Sequence, residues 1–541
     1  MSRPAGWRPI AWLLPGCGTL AFLLALTGLS MGGLLRQAPE INFSEVLADP
    51  YIRQVTLFTF WQAVLSTLLS VGLAIPVARA LARRRRFLGR SLLLRLFSLA
   101  LVTPAIVAIF GIVAIHGRQG WLNQVLGAIG LDGGNYLYGL TGILIAHVFF
   151  NLPLASRVLL QSLETIPPET WRLAAQLGMR PRDVFRFIDW PVIRQALPGL
   201  AGLIFMLCFT SFAVVLTLGG GPRSTTLEVA VYQALKFEFD LGKAVLLALL
   251  QLGLCSVIAL GVLRFGRVEN MISGERRFFE RPDRRTWGGQ LVDGGALIGA
   301  VGLVVLPLSA VAAAGFNDKL WRVLADPGLW RAAGQSGAIA LTSAALSLVL
   351  GWGILTSSRA LRHRLFHLRS ASLLEVSGSI TLIVPPFVLA AGLFVLLRQW
   401  SDVFSLGFYL VILINALMAL PFVLRILGSA MHQAAEEDER LCQSLGIAGR
   451  RRLTIIDWPK LRRPAALALA IAATLSLGDL SVIALFGTQD FQTLPLLLYQ
   501  RMGSYRLDEA AVVAAFLAVF CLLLFVGLER LFGAPTKDQQ L

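Results

Sequence analysis

Long apolar stretches dominate this chain and restrict what it can fold into. Of its 541 residues, 56% are hydrophobic and 15% are charged, and the mean hydropathy is +0.71. The apolar residues come in runs of about 20, the length of helix that crosses the roughly 30 Å hydrocarbon core of a bilayer. Twelve such runs are centred near Leu24, Leu69, Leu101, Phe149, Ile204, Leu252, Val301, Leu346, Leu389, Leu413, Ala472 and Phe520. The sequence therefore predicts an all-α integral membrane protein with twelve transmembrane helices.

The formal net charge of +17 is distributed in a way that orients these helices. If the N-terminus is cytoplasmic and the spans alternate, most of the 48 Lys and Arg residues fall on the cytoplasmic side, in clusters at 83–86, 276–285, 359–369 and 450–463. Positive residues in short loops resist translocation. The charge thus predicts cytoplasmic N- and C-termini. It does not indicate nucleic-acid binding, since the chain has no basic motif interleaved with aromatic residues.

Two loops on the predicted cytoplasmic side carry the same pattern. One reads Arg172-Leu-Ala-Ala-Gln-Leu-Gly178 and, after nine residues, Ile188-Asp-Trp-Pro191. The other reads Arg440-Leu-Cys-Gln-Ser-Leu-Gly446 and, after nine residues, Ile456-Asp-Trp-Pro459. The two patterns stay in register at one constant offset, which indicates an internal repeat.

Two further matches extend this repeat along the chain. Ala78-Arg-Ala-Leu81 pairs with Ser358-Arg-Ala-Leu361, and Thr226 pairs with Thr493. We therefore predict a tandem duplication, with six-span halves at residues 1–266 and 291–541 and a charged cytoplasmic linker at 267–290. An even number of spans gives both halves the same orientation, which predicts a pseudo-twofold axis along the membrane normal and a transport path between the halves.

The repeated loops read as short helices that end at a glycine. In the first copy, prolines and Glu169 suit the first helical turn, and Gly178 suits a left-handed C-terminal cap. Leu173 and Leu177 are four residues apart and share one face, as do Leu441 and Leu445 in the second copy. We interpret this face as a docking surface for another protein; the alternative is a loop helix that packs only against its own spans.

The chain shows no motif for a nucleotide site or a catalytic centre. The stretch 219–222 is glycine-rich, but the Lys-Ser/Thr of a phosphate-binding loop does not follow it. The five cysteines form no Cys-x-x-Cys pair and the five histidines are scattered, so we predict no metal site and no cofactor in this chain. We expect a protein that is not an enzyme.

The repeated loops resemble the EAA loop of ABC-importer permeases, which reads Glu-Ala-Ala, three residues, Gly, nine residues, Ile, any residue, Leu, Pro. The positions that match this pattern are Ala174, Gly178, Ile188, Pro191, Gly446, Ile456 and Pro459. Arg172 and Arg440 stand where the family has its glutamate, and Trp190 and Trp458 replace the leucine. The resemblance implies a type I importer fold in which both loops dock a cytoplasmic ATPase.

A narrower resemblance, to the fused thiamine permeases of ABC importers, covers nearly the whole chain. It rests on the stretches 117–121, 146–153, 173–179, 219–222, 441–447, 476–479 and 503–506. It implies import of thiamine and its phosphate esters across the bacterial inner membrane, with cargo from a periplasmic binding protein. It also implies two copies of an ATPase subunit, which binds the ATP and Mg²⁺. Fused permeases that import ferric iron are similar too, and an ion-gradient-driven secondary transporter is a further alternative.

A few polar residues and prolines within the spans are candidates for the transport path. His147 and Asn151 lie four apart in the fourth span; they either line the path or tie helices together by hydrogen bonds. Asp479, in the eleventh span, is either a counter-ion for a cationic cargo or a structural group bonded to a neighbouring span. The structural interpretation is favoured, because related permeases for anions resemble this chain in having an acid there. Pro104 and Pro385 occupy corresponding spans and mark either bends beside the path or packing kinks.

Overall fold

A computed structural model describes most of the chain, namely residues 12–37, 48–85, 87, 89–131, 134–265, 281, 283, 287–378, 384–447 and 449–533. These residues form helices and connecting loops and contain no strand. The helices of the first part are α1 (Leu14–Gln37), α2 (Pro50–Arg83), α3 (Arg90–Val102), α4 (Ala105–His116), α5 (Trp121–Ala128), α6 (Leu140–Glu164), α7 (Pro168–Gln176), α8 (Pro181–Val184), α9 (Trp190–Phe209), α10 (Phe212–Leu218), α11 (Leu227–Gln233) and α12 (Leu241–Phe265).

The second part of the chain begins with a helix at Trp287. Its helices are α13 (Trp287–Gly315), α14 (Leu320–Leu324), α15 (Pro327–His363), α16 (Leu368–Ser377), α17 (Pro386–Leu397), α18 (Gly407–Ser444), α19 (Gly449–Arg452), α20 (Trp458–Leu477), α21 (Ser481–Phe486), α22 (Leu494–Gly503) and α23 (Leu507–Gly533). Because α13 begins at Trp287, the last residues of the predicted linker are helical.

Eleven helical stretches in the described part of the chain are long and apolar enough to cross a membrane. They confirm the all-α membrane fold. The predicted ninth span, centred near Leu389, corresponds to α17, which has 12 residues and extends about 18 Å at 1.5 Å per residue. Residues 379–383, just before it, lie outside the described residues. Other helices are much longer than a bilayer requires: α18, with 38 residues, extends about 57 Å.

Two corresponding spans are interrupted at a proline. Pro104 is the N-terminal cap of α4, and Pro385 is the N-terminal cap of α17, with φ angles of −52° and −58°. Proline has no N–H to donate and fixes its own φ, so it suits the start of a helix. These residues therefore begin new helices where the sequence predicted bends within continuous ones. For the same reason, the predicted third-span centre near Leu101 lies in α3, just before the break.

The described contacts divide the chain into two compact units. We call Phe43–Ala230 with Gly253–Phe316 the N-half unit, and Met1–Asn42, Val231–Leu252 and Asn317–Leu541 the C-half unit. In the N-half unit, α2 packs along α6, and α9 packs against both. In the C-half unit, α15, α18 and α20 pack against one another, and α20 packs along α23. Each unit thus has a core of three mutually packed long helices.

The opening helix of each sequence half packs in the unit built mainly from the other half. In the N-half unit, α13 lies so close to α4 that a Cβ on Gly111 would be 2.3 Å from the Pro307 carbonyl oxygen. In the C-half unit, α1 packs against α15 and α17, and Ser30 Oγ donates a hydrogen bond of 2.9 Å to the Leu389 carbonyl. The compact units therefore do not coincide with the two sequence repeats.

Candidate functional site

The first repeated loop, which we call repeat loop 1 (residues 168–191), begins with a short, well-capped helix. Pro167 and Pro168 start α7, and Glu169 lies in its first turn, where the helix dipole favours an acid. Gly178 has a φ of +61°, and the Met179 N–H donates to the Ala174 carbonyl at 3.0 Å. This is a Schellman cap, which glycine adopts without a Cβ penalty. The predicted left-handed cap at Gly178 is present.

Repeat loop 2 (residues 436–459) reproduces this cap in a different helical setting. Gly446 has a φ of +65°, and the Ile447 N–H donates to the Cys442 carbonyl at 2.9 Å. The helix before the cap is the end of α18, which runs without a break through Ser444. The short separate helix expected here is therefore wrong. The second copy has no prolines at the counterparts of Pro167 and Pro168, which start a new helix in repeat loop 1.

Both loops expose the same apolar positions. Leu173 and Leu177 are 56% and 68% exposed, and their counterparts Leu441 and Leu445 are 53% and 63% exposed. On the other side of each helix, the counterparts Ala174 and Cys442 are each 1% exposed. The inner face thus packs against the protein's own helices, while more than half of each leucine remains exposed. Arg172 and Arg440, where the EAA pattern has glutamate, are also exposed.

The Ile-Asp-Trp-Pro segments have the same local structure in both copies. A single π-helical turn, Phe185–Asp189 or Leu453–Asp457, leads directly into α9 or α20. Pro191 and Pro459 are the second residues of these helices, directly after the π-turns. Because α9 and α20 are predicted spans, each repeat loop is joined to a transmembrane helix through one π-turn.

The aspartate of repeat loop 1 is fully buried in an ion-pair cluster. Asp189 accepts from Arg79 Nε at 3.0 Å, and its two oxygens lie 3.0 and 2.8 Å from Arg281 Nη2. The Arg281 guanidinium also lies 4.2 Å above the Trp171 ring, and Trp171 belongs to α7. Arg281 thus connects the loop helix to the π-turn. A buried carboxylate requires such partners, because an unpaired buried charge is strongly unfavourable.

The aspartate of repeat loop 2 is held in the same way by other residues. Asp457 pairs with Arg359 Nη1 at 2.9 Å and with Arg452 Nε at 3.5 Å. Arg452, which is 1% exposed, also pairs with Glu439 at 2.6 Å, and Glu439 pairs with Arg364 at 2.8 Å. Since Glu439 lies at the end of α18, this cluster too joins the loop helix to the π-turn.

The linker residues at repeat loop 1 are themselves anchored to other helices. Asp283 accepts from Arg281 Nε at 3.1 Å and from Arg83 Nε at 3.0 Å. Arg83 and Arg84, at the end of α2, each donate at 2.9 Å to Asp293 in α13. Burial alone would raise the pKa of Asp283, but Arg281 and Arg83 outweigh it and hold that pKa below its usual range. Asp283 is therefore ionised at neutral pH.

The sequence interpretation missed these buried charges, although it contained their signal. The aspartates were read only as part of the repeated Ile-Asp-Trp-Pro motif, and Arg79 and Arg359 only as matching positions. A charged residue that recurs at the same place in two apolar segments requires a partner that compensates its charge. Arg281 offered no such signal, since it is one of several arginines in the linker.

His147 and Asn151 tie helices together within the N-half unit. His147 Nδ1 lies 2.7 Å from Ser66 Oγ of α2, and Asn151 Nδ2 lies 3.2 Å from Cys208 Sγ of α9. The repeat places Asn415 at the counterpart position of His147, and Asn415 Nδ2 donates at 3.0 Å to Ser476 Oγ. The same two spans are thus bonded in both copies. These contacts favour the helix-packing alternative for both residues.

Asp479 caps a helix of its own segment. Its Oδ1 accepts from the Ser481 N–H at 3.0 Å, and its Oδ2 accepts from the Val482 N–H at 3.2 Å, at the start of α21. These bonds satisfy the orphan donors of a helix N-terminus. They stay within the segment, where the sequence interpretation expected a bond to a neighbouring span. Asp479 also lines a cavity of about 10 Å³ beside Asn415 and Ser476, enough for one water molecule.

Comparison with known proteins places this architecture in a family. Residues 70–267 and 350–534 each match the family described as binding-protein-dependent transport system inner membrane component. The chain belongs to this family. The two matched segments contain repeat loop 1 and repeat loop 2 respectively, so the family domain is present twice.

Relatives that match nearly the whole chain belong to the same kind of transport system. The chain is 46% identical to the thiamine transport system permease protein ThiP of Escherichia coli, over 97% of this chain and 98% of that protein. It is 45% identical to the protein of the same name from Brucella abortus (97% and 95% covered) and 42% identical to that from Haemophilus influenzae (94% of each). The chain is therefore a multi-pass inner-membrane component of a transport system, a permease and not an enzyme.

Proposed function

We propose that this chain is the transmembrane permease subunit of an ATP-driven importer for thiamine and its phosphate esters. The observation that carries the proposal is the pair of exposed leucines at matching positions in both repeat loops, on helices whose other face is buried. Exposed apolar groups that recur on a rigid base are typical of a protein–protein contact. The cargo assignment is supported by relatives 42–46% identical over nearly the whole chain, all named thiamine transport permeases.

In this proposal, each repeat loop docks one copy of a cytoplasmic ATPase subunit. Leu173 and Leu177 insert into one copy, and Leu441 and Leu445 into the other. The ATPase binds ATP and Mg²⁺, and this chain contributes no nucleotide site. A displacement of α7 or of the end of α18 is passed through the buried aspartate cluster and the π-turn to α9 or α20.

Cargo reaches the permease from a periplasmic binding protein on the opposite face. The repeat loops and both termini lie in the cytoplasm, in agreement with the excess of Lys and Arg on that side. ATP binding and cargo release act only through their different affinities for two states of the transporter. The ATPase therefore selects between states of the spans and takes no part in cargo chemistry.

The test is transport by purified components in proteoliposomes. Vesicles that contain the permease, an ATPase subunit and a thiamine-binding protein are expected to accumulate labelled thiamine only with ATP and Mg²⁺ on the repeat-loop side. Ferric iron offered with an iron-binding protein is the parallel cargo arm, and an ionophore that dissipates ion gradients is the energy arm. Uptake that continues without the ATPase, collapses with the ionophore or favours iron would contradict the proposal.

A further inference from the structure

The two repeat loops have matching outer faces but are supported differently underneath. Asp189 and Asp457 are counterparts, and each is paired with an arginine from the end of a long helix, Arg79 or Arg359. Those two arginines are also counterparts in the sequence repeat. The second arginine differs: it is Arg281 of the linker in repeat loop 1 and Arg452 of the loop itself in repeat loop 2.

The position that supplies the second arginine in repeat loop 2 is a valine in repeat loop 1. Val184 and Arg452 each end a four-residue helix just before the π-turn, and both are buried, at 0% and 1% exposed. Valine has no charge to offer Asp189. In the described residues, Asp189 forms ion pairs with Arg281 and with Arg79. Without Arg281, it would keep the pair with Arg79.

A second exchange between the copies accompanies the first. Glu439, which pairs with Arg452, has Trp171 as its counterpart, and Trp171 lies 4.2 Å beneath the Arg281 guanidinium. A carboxylate partner in one copy is thus replaced by an aromatic face in the other, and both attract a guanidinium. In each copy one buried arginine joins the docking helix to the aspartate of the π-turn.

We propose that Arg281, from the segment that joins the two sequence halves, is a positioning residue for the first ATPase-docking helix, equivalent to Arg452 in repeat loop 2. This inference rests on the proposed function. It makes Arg281 a structural part of repeat loop 1, with Arg281 paired to Asp283 and Asp283 paired to Arg83. Repeat loop 2 carries its own second arginine and does not depend on the linker.

The critical variant is Arg281→Gln, with Arg398→Gln as a matched control on an exposed arginine outside both loops. Loss of one member of a buried ion pair is expected to lower ATP-dependent thiamine uptake by about tenfold or more. A photo-crosslinker at position 177 is expected to lose most of its yield with the ATPase, while one at position 445 keeps its yield. The control variant is expected to retain wild-type uptake and crosslinking.

Rescue separates positioning from a general loss of folding. The triple variant Arg281→Gln, Val184→Arg, Trp171→Glu installs in repeat loop 1 the pair that repeat loop 2 already uses. It is expected to restore both uptake and the crosslink at position 177 to within about threefold of wild type. If the triple variant fails to recover uptake or the crosslink at position 177, the equivalence of Arg281 and Arg452 is refuted. This test applies even if Arg281→Gln alone does not fold.

The outcomes also separate this inference from the proposed function. Suppose that uptake by the wild-type protein requires ATP, and that Arg281→Gln keeps the same uptake and the same crosslink at position 177. This result would refute the role of Arg281 and leave the proposed function intact. Equal loss of crosslinking at positions 177 and 445 would likewise refute it, because the inference confines the effect to one loop. Absence of ATP-dependent uptake in the wild type would refute the proposed function itself.

Discussion

Under the proposed function, removal of the exposed leucines measures how much binding energy each repeat loop contributes to ATPase docking. Full burial of a leucine side chain is worth about 1.5–3 kcal/mol. Leu173 and Leu177 still expose 56% and 68% of their surface, so docking can gain at least about 1 kcal/mol from each. Leu173→Ala with Leu177→Ala is therefore expected to cost about 2 kcal/mol of binding, which is about 30-fold in ATPase affinity at that loop.

The same variant is expected to leave the permease itself intact. Substitution of exposed residues changes folding free energy by about 0.5 kcal/mol or less, so the unfolding temperature should not move. The assay is binding of the ATPase subunit to the permease in nanodiscs, combined with ATP-dependent thiamine uptake. Leu441→Ala with Leu445→Ala is the equivalent change at repeat loop 2, and should have a similar effect on binding.

A matched control is available on another short helix. Leu122→Ala with Val125→Ala in α5 removes two apolar side chains that are 37% and 61% exposed and belong to neither repeat loop. This control is expected to bind the ATPase with wild-type affinity. If the leucine variants bind equally well, the exposed pairs are not the docking surface and the reasoning fails.

Other substitutions probe the cap and the buried charges. Gly178→Val with Gly446→Val forces a β-branched residue to positive φ at about 1–2 kcal/mol each, and should separate ATP hydrolysis from uptake, whereas asparagine at both positions should retain coupling; normal coupling in the valine variant would contradict this. Asp457→Asn removes the charge that Arg359 and Arg452 share, and should destabilise the permease by about 3 kcal/mol, seen as a lower thermal unfolding midpoint. The pKa of Asp283 is lower in the folded state, so the stabilising effect of its carboxylate is full above the unfolded-state pKa and is lost as pH falls through the folded-state pKa. The thermal unfolding midpoint should therefore stay level near neutral pH and drop only in strong acid. The drop should be smaller in Asp283→Asn.

Local sequence signals predicted the repeat loops well. The helical caps at Gly178 and Gly446 and the shared face of the leucines depend on residues close together in the chain, and the duplication follows from comparing the two local motifs. The prolines of the first copy also predicted correctly where α7 begins. Their absence in the second copy is what lets α18 continue through Ser444, a consequence that the repeat itself obscured.

Long-range packing was not predictable in the same way. Hydropathy identifies α1 and α13 as spans but does not say which helices they contact, because any apolar helix satisfies the bilayer equally. Their exchange between the compact units depends on close backbone contacts such as Gly111 with Pro307. The pairing of Arg281 with Asp189 is of the same kind, since nothing near either residue in the sequence indicates the other.

The divergence between the two repeat loops carries its own argument about the partner. The exposed leucine pair is the same in both copies, while two buried positions differ together: Arg452 and Glu439 in repeat loop 2 correspond to Val184 and Trp171 in repeat loop 1. Buried changes can compensate one another inside the chain, as the linker arginine does. An exposed residue has no such internal compensation, so its retention in both copies requires an external constraint common to both. Under the proposed function, two identical ATPase subunits impose that constraint, whereas two different partners would allow the leucine pairs to diverge.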